Sequence, residues 1–176
     1  MAEININELT DEAVDLVKKE AKNKGTEIIT DIDPSTATIW SDPYKLRQVL
    51  INLITNAVHA TGTGGKISII LENKGDDVAL TVRDTGQGIP RENLKKIFEP
   101  FFSTKPPGEG TGLGLFVCRS IIEKLGGEME VESKIGHGTS FCIRLPKYHG
   151  IKESLGKDGH ADFLDKISTD WKETDG

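Results

Sequence analysis

An alternating segment that ends in an aspartate and a glycine-rich turn constrains this chain most. Residues 78–83 read Val-Ala-Leu-Thr-Val-Arg, and Asp84-Thr85-Gly86-Gln87-Gly88 follows directly. Period-two alternation predicts a strand, and the two glycines permit a tight turn with a close backbone approach. A lone carboxylate repels phosphate but can accept a hydrogen bond from a neutral donor. We therefore expect Asp84 to hold the exocyclic amine of a base rather than a phosphate chain.

Hydrophobic periodicity indicates both helices and hairpins. Helices are predicted over residues 8–24, 43–60 and 112–125, with a short one over 91–98. Strands are predicted over residues 3–7, 27–32, 37–40, 66–72, 78–83, 128–133 and 139–145. The first helix is expected to bury Leu9, Ala13, Leu16, Val17 and Ala21, and the second Leu46, Val49, Leu50, Leu53, Ile54 and Ala57. Asp42-Pro43 marks the start of the second helix, as an N-cap followed by proline.

The order of these elements predicts the fold class. Hairpins occur in place of strict strand–helix alternation, which favours a two-layer α/β sandwich, with a mixed sheet covered on one face by helices. The prolines and glycines of residues 99–111 predict an irregular segment. We expect one domain over residues 3–147 and a polar, partly flexible tail over residues 148–176, with one short amphipathic helix.

Composition excludes several classes of function. A net charge of −6 disfavours binding to nucleic acid. Cys118 and Cys142 lie in apolar stretches without a CxxC pair, so we expect buried thiols in a reducing compartment and no zinc site. No apolar stretch approaches the roughly 20 residues that span a bilayer, and we expect no signal peptide. The expectation is a cytoplasmic domain without direct membrane contact, with membrane anchoring of a parent protein left open.

Asn52 and Asn56 lie four residues apart and share one face of the second predicted helix. They are either a solvated surface pair or two amide groups that face a ligand. An amide oxygen suits Mg²⁺, which takes one or two protein oxygens and completes its shell with water and nucleotide phosphates. His59, one turn beyond Asn56, is either a phosphate contact or an exposed residue at the end of the helix.

A phosphate site is predicted further along the chain. The segment Gly110-Thr111-Gly112-Leu113-Gly114-Leu115 leads into a helix, so successive N–H groups and a helix N-terminus can receive an anion. Its spacing fits neither the dinucleotide fingerprint nor the Walker loop. Three phenylalanines precede it, at positions 98, 101 and 102, and form either a local apolar cluster or the hinge of a lid that carries Lys105 to phosphate.

A purine nucleotide with Mg²⁺ satisfies the base, metal and phosphate sites together. Asp84 should accept a hydrogen bond from the adenine amine. Guanine would present a carbonyl at that position, so ATP is expected in preference to GTP.

The ordered motifs resemble the catalytic ATP-binding domain of sensor histidine kinases, from the superfamily that includes Hsp90, type II topoisomerases and MutL. The motifs are Asn52-x-x-x-Asn56, Asp84-x-Gly86-x-Gly88, Phe98-x-x-Phe101-Phe102 and Gly110-x-Gly112-x-Gly114. The resemblance covers roughly residues 3–147, and residues 98–105 look most like the nitrogen-regulation (NtrB-like) type.

This resemblance implies an α/β sandwich that binds ATP between its helices, under a flexible lid. Asn56 would bind Mg²⁺, Asp84 would read adenine directly and through a water that Thr139 supports, and Ile89, Leu115 and Phe98 would line the pocket. The implied nucleotide-binding residues are Asn52, Asn56, His59, Ala60, Asp84, Gly86, Gly88, Ile89, Phe98, Thr104, Lys105, Gly110, Thr111, Gly112, Leu113, Gly114, Leu115 and Thr139.

Position 52 distinguishes branches of the superfamily. The ATPases place a glutamate four residues before the metal asparagine, whereas Asn52 cannot act as a general base. Slow hydrolysis is therefore expected, with transfer to an external nucleophile. In the family this nucleophile is a histidine on a separate dimerisation domain, followed by an acidic residue, and none of the four histidines here has that context.

We therefore expect the catalytic half of a two-component sensor kinase, which binds ATP but does not phosphorylate itself. Its expected partners are a histidine-bearing dimerisation domain of the same parent protein and a response regulator. The alternatives are a serine kinase that binds a sigma factor and a nucleotide-gated interaction module.

Overall fold

Helices cover one face of a five-stranded sheet in the computed structural model, which describes residues 1–36, 38–105 and 110–148. The helices are α1 (Ile6–Asn23), α2 (Pro43–Ala60) and α3 (Gly114–Lys124). The strands are β1 (Ala2–Asn5), β2 (Glu27–Ile32), β3 (Thr38–Ser41), β4 (Lys66–Lys74), β5 (Asp77–Asp84), β6 (Glu128–Lys134) and β7 (Gly138–Pro146). Short 3₁₀ turns cover Pro34–Thr36, Arg91–Asn93 and Lys96–Phe98.

The large sheet has the strand order β2-β4-β5-β7-β6. β2 and β4 run parallel and the other neighbours antiparallel, so the sheet is mixed. The predicted α/β sandwich is confirmed. A second sheet, which was not predicted, pairs β1 with β3. The Trp40 backbone N–H on β3 donates to the Lys147 carbonyl at 2.6 Å, which ties this small sheet to the end of β7.

Side chains alternate between the two faces of the central strands, and this alternation determines where Asp84 and Thr139 lie. Val78, Leu80 and Val82 of β5 are buried, and they lie on the face that the helices cover. Because side chains on one face recur every two residues, Asp84 continues this row at the end of the strand. Thr139 begins the equivalent row on β7, which continues through the buried Phe141. A carboxylate and a hydroxyl thus lie at the edge of the core, beneath the helices.

The capping of α2 follows the sequence. Asp42 Oδ1 accepts hydrogen bonds from the backbone N–H groups of Tyr44 and Lys45, both at 3.1 Å, and Pro43 opens the helix. All six apolar residues predicted to be buried on α2 are buried. Asn52 and Asn56 lie beside this buried stripe and are themselves half-buried.

Several predicted boundaries are wrong by a few residues. α1 starts at Ile6 rather than residue 8, because the Asn5 side chain caps Asn7 and Glu8. α3 starts at Gly114 rather than residue 112, because Gly112 has a φ of +65°, which a right-handed helix does not accommodate. Residues 91–98 form two uncapped 3₁₀ turns instead of one helix.

Two burial predictions also need correction. Leu16 is 65% exposed, because it lies about 100° around α1 from Val17, outside the buried stripe. Cys118 is buried as expected, whereas Cys142 is half-buried, since it faces away from the helices on β7. Both cysteines are free thiols.

Parts of the lid and the tail lie outside the described residues. Residues 106–109 and 149–176 belong to these parts, so the flexibility of both and the domain boundary at 147/148 stay predictions. In the ranges that the structure describes, no helix combines the length and apolarity needed to cross a membrane.

Candidate nucleotide-binding site

A cleft of about 1080 Å³ opens between α2, the ends of β5 and β7, and the N-terminus of α3. Its volume suits a small-molecule ligand. Of the nucleotide-binding residues that the sequence predicts, all but Gly86, Phe98 and Leu113 line it. The structure therefore brings together three motifs that are separated by up to about 60 positions in the chain.

Asp84 lies at the floor of the cleft with 5% of its surface exposed. Its Oδ1 accepts hydrogen bonds from the backbone N–H groups of Gly86 at 2.8 Å and Thr139 at 3.3 Å. No residue in the described ranges donates to Oδ2. Burial raises the pKa of this carboxyl group, and the two backbone N–H groups partly oppose that shift. Asp84 thus offers a ligand one oriented acceptor atom.

Gly86 does not line the cleft, but it allows the loop to lie against the end of α2. A Cβ at this position would lie 2.3 Å from the Ala60 carbonyl oxygen and 2.8 Å from Asp84 Oδ1. The Gln87 backbone N–H also donates to the Ala60 carbonyl, at 3.2 Å. A side chain at position 86 would therefore displace both the aspartate and the helix end.

Ser133 on β6 is a structural support that the sequence analysis missed. Its Oγ donates to the Gly138 carbonyl at 3.0 Å and accepts from the Ile89 backbone N–H at 2.8 Å. It also lies 2.9 Å from Thr139 Oγ1. Because the Ser133 proton is directed at Gly138, Thr139 donates to Ser133 and keeps its lone pairs for the cleft. No local sequence signal marks this serine.

Asn52 and Asn56 are half-buried and line the cleft, which favours two amide groups that face a ligand over a solvated surface pair. The Asn56 side chain makes no hydrogen bond to the described residues. Asn52 Nδ2 lies 3.0 Å from the sulfur of Cys118 on α3. One amide is thus free for a ligand, and the other is held by the neighbouring helix.

His59 and Lys105 meet at the rim. Lys105 Nζ lies 3.1 Å from His59 Nδ1, and His59 Nε2 lies 2.8 Å from Glu20 Oε1. An ammonium group can only donate, so Nδ1 accepts and Nε2 carries the proton that is directed at Glu20. These exposed contacts place a cation at the mouth of the cleft.

The N-terminus of α3 reaches the cleft as well. The N-cap residue Leu113 provides no side-chain hydrogen bond, so the first N–H groups of the helix lack a protein side chain as acceptor. The Leu113 N–H itself donates to Thr111 Oγ1 at 3.3 Å, and Leu113 does not line the cleft. Gly114 and Leu115 do line it. An uncapped helix N-terminus is suited to a negatively charged group.

Phe98 is not a wall of the cleft. Its ring meets Phe141 edge-on, with centroids 6.4 Å apart, and the Arg119 guanidinium lies 4.9 Å from its centroid. Phe101 is 77% exposed, so the three phenylalanines do not form one apolar cluster. Further lining residues that were not predicted are Lys24, Thr55, Ala57, Gln87, Pro90, Asn93, Ile97, Phe102, Ser103, Ile135 and Phe141.

Comparisons with known proteins agree with this geometry. Residues 41–149 match the family described as "Histidine kinase-, DNA gyrase B-, and HSP90-like ATPase". The sensor histidine kinase ZraS of Klebsiella oxytoca is 40% identical over 154 residues, which is 87% of this chain and 33% of ZraS. Sporulation kinase A of Bacillus subtilis is 40% identical over 144 residues, 82% of this chain and 23% of that protein. The chain thus spans a third or less of the length of these relatives.

Solved structures give the same result. The catalytic domain of histidine kinase ThkA superposes with a TM-score of 0.76 at 38% identity, covering 84% of this chain and 95% of that domain. Full-length ShkA in complex with AMPPNP gives a TM-score of 0.75 at 32% identity, covering 82% of this chain and 30% of ShkA. The chain belongs to the histidine kinase-, DNA gyrase B- and HSP90-like ATPase family, within which it is an ATP-binding catalytic domain of the sensor histidine kinase type.

Proposed function

We propose that this domain binds ATP with Mg²⁺ and transfers the γ-phosphoryl group to a histidine on a separate dimerisation domain. The observation that carries the proposal is the buried Asp84, whose Oδ2 lacks a donor among the described residues, in the same cleft as an uncapped helix N-terminus. A base with an exocyclic amine and a chain of phosphates would satisfy both ends together.

At the base end, Asp84 Oδ2 accepts a hydrogen bond from the adenine amine. Thr139, whose hydroxyl donates to Ser133, keeps lone pairs to support a water between the carboxylate and the ring. Ile89 and Leu115 line the cleft and provide apolar contact with the base. The NtrB-like subtype stays a prediction.

At the phosphate end, the donor set fits Mg²⁺ and phosphates. The Asn56 amide oxygen is a neutral ligand without a partner among the described residues, and such oxygens suit Mg²⁺. When bound, the metal would neutralise phosphate charge and orient the transferred group. The first N–H groups of α3, together with Lys105 and His59, would hold the phosphate oxygens.

The cleft lacks the carboxylate that would favour hydrolysis. Among its described lining residues, Asp84 is the one carboxylate, and it lies at the base end. Asn52 cannot accept a proton from water. In the transfer, the bond from the γ-phosphorus to the oxygen shared with the β-phosphate breaks, and a bond to an imidazole nitrogen forms. ADP leaves with that oxygen, and the imidazole proton passes to solvent.

The proposed partners follow from the family. They are the dimerisation domain, whose histidine accepts the phosphoryl group, and a response regulator. One solved relative is histidine kinase ThkA in complex with the response regulator protein TrrA, at 35% identity and a TM-score of 0.72, covering 83% of this chain and 41% of that one. We further propose a cytoplasmic location, which the two free thiols support.

The test is phosphoryl transfer to a histidine-bearing domain. The chain is mixed with ATP labelled at the γ-phosphate and with the dimerisation domain of its parent kinase, and Asp84→Asn serves as the inactive control. We expect an acid-labile label on the dimerisation domain, since phosphohistidine is unstable to acid. An acid-stable label would favour a serine kinase, and bound ATP without transfer would favour an interaction module; either result contradicts the proposal.

A further inference from the structure

The Asn52 amide is held by α3 rather than left to rotate. Its Nδ2 donates to Cys118 Sγ at 3.0 Å, across 66 positions of sequence. The amide also lies against the backbone of Gly114, where an added Cβ would be 2.8 Å from Nδ2 and 2.9 Å from Oδ1. Two consecutive turns of α3 therefore contact this one side chain.

The Cys118 thiol is buried between α2 and α3, where its sulfur accepts the hydrogen bond from the Asn52 amide. The thiol is 1% exposed, and its sulfur lies 3.9 Å from the Val49 carbonyl oxygen on α2. The thiol can direct its own hydrogen towards the Val49 carbonyl while its lone pairs accept from Asn52. Because Cys118 does not line the cleft, it acts on a ligand only through Asn52.

The orientation of the Asn52 amide determines whether its oxygen or its N–H groups face the cleft. An asparagine side chain has one donor end and one acceptor end. With Nδ2 committed to sulfur, Oδ1 is the end that remains, and no residue in the described ranges donates to it. A flipped amide would present N–H groups instead, which cannot coordinate a cation or accept from its bound waters.

We propose that Cys118 is a positioning residue of the nucleotide site, whose sulfur fixes the Asn52 amide so that Oδ1 faces the metal-bearing end of the cleft. This inference rests on the proposed function, because it assigns the Asn52 oxygen to the Mg²⁺ and phosphate side. It names a role for a buried thiol that the transfer chemistry itself does not use.

Two substitutions of Cys118 separate positioning from packing. Cys118→Val keeps an apolar side chain of similar size but removes the acceptor, so it should preserve the melting temperature. Cys118→Ser keeps an acceptor but places a hydroxyl in an apolar site, so it should lower the melting temperature. If Cys118 positions Asn52, the valine variant should lose more of the Mg²⁺-dependent gain in ATP affinity than the serine variant. If Cys118 only packs, the serine variant should lose more. Cys142→Ser is the matched control, since this second cysteine is half-buried on the sheet face away from the helices.

The first readout is ATP affinity with Mg²⁺ and with EDTA. We expect Cys118→Val to reduce the gain in affinity from Mg²⁺ about fivefold, as for the loss of one modest hydrogen bond. Cys118→Ser and Cys142→Ser should keep the wild-type gain within about twofold. The positioning role is overturned if the gain in affinity from Mg²⁺ follows the melting temperature instead. In that case Cys118→Ser would lose the gain and Cys118→Val would keep it.

The second readout needs no nucleotide and keeps the two proposals apart. Hydrogen exchange of the Asn52 side-chain amide, followed by NMR in the free protein, should be slow in the wild type and in Cys118→Ser and faster in Cys118→Val. Equal exchange in the three proteins overturns the inference, whatever the affinities are. Protected exchange in a wild type that binds ATP equally with and without Mg²⁺ would instead refute the metal role in the proposed function.

Discussion

The base end and the phosphate end of the cleft differ in how far the protein satisfies its own polar groups. At the base end, Asp84 Oδ1 accepts two backbone hydrogen bonds, and Ser133 ties Thr139 to the loop at Ile89. At the phosphate end, the Asn56 amide has no partner among the described residues, and α3 has no side-chain cap. The base end is organised before ligand binds, whereas the phosphate end is completed by the ligand.

This difference has an energetic consequence. A buried carboxylate without a cation is costly to the fold, and the raised pKa of Asp84 reflects that cost. The exposed rim contacts of Lys105 and His59 contribute little to stability, because solvent screens them. We infer that recognition of the base is built into the sheet at the expense of stability, and that the phosphate contacts adjust to the bound nucleotide.

The largest expected effect comes from Asp84→Asn. The isosteric amide keeps an oxygen for the Gly86 and Thr139 N–H groups but turns a donor towards the base. ATP affinity should fall about 100-fold, which corresponds to the loss of a hydrogen bond to a charged group. Equilibrium titration measures the affinity, and Asp31→Asn, at an exposed position on β2, is the matched control. An unchanged affinity would refute the assignment of the base end.

The same substitution should not destabilise the fold. Between pH 3.8, the ordinary pKa of the group, and its raised value, the folded protein binds a proton that the unfolded chain has lost. The contribution of Asp84 to the free energy of unfolding therefore decreases as the pH rises through this window. We expect Asp84→Asn to be at least as stable as the wild type at pH 7, and the difference to vanish below pH 3.8. A variant that melts earlier than the wild type at pH 7 would show that the carboxylate stabilises the fold.

Asn56→Ala should have the next largest effect, because it removes the free ligand at the phosphate end. Affinity for ATP in Mg²⁺ should fall about tenfold, while affinity in EDTA stays close to that of the wild type. Titration with and without the metal gives both values from one protein. Equal losses under the two conditions would mean that Asn56 contacts the nucleotide without a metal.

Lys105→Ala should have the smallest effect. Because this ammonium group lies at an exposed rim, its loss should weaken ATP binding about threefold. The difference from the wild type should shrink at high salt, since exposed charges are screened, and it should be absent for adenosine, which has no phosphates. A loss that is the same for adenosine would place Lys105 at the base end.

The sequence predicted the base end better than the walls of the cleft. Period-two alternation places Asp84 on the helix-covered face, and helical spacing places Asn52 and Asn56 on one side of α2, so local rules are sufficient there. Phe98 was predicted as a wall from the family resemblance, not from a local rule, and residues 91–98 were predicted to be one helix. The two 3₁₀ turns direct its ring to Phe141 instead.

The remaining features depend on contacts between distant parts of the chain. Ser133 reaches Ile89 across 44 positions of sequence, and Cys118 reaches Asn52 from another helix. Neither contact leaves a local pattern of spacing or composition. The exposure of Leu16 likewise depends on which stripe of α1 meets α2, and the apolar pattern alone does not define that stripe.

The most direct test of an organised base end compares ATP with ITP, whose ring carries a carbonyl in place of the 6-amine, in the wild type and in Asp84→Asn. We expect the wild type to prefer ATP about 30-fold, since Asp84 would face an acceptor in ITP. Asp84→Asn should lose or reverse this preference, because the new amide donates to that carbonyl. A variant that still prefers ATP as strongly as the wild type would contradict the reading of adenine by Asp84.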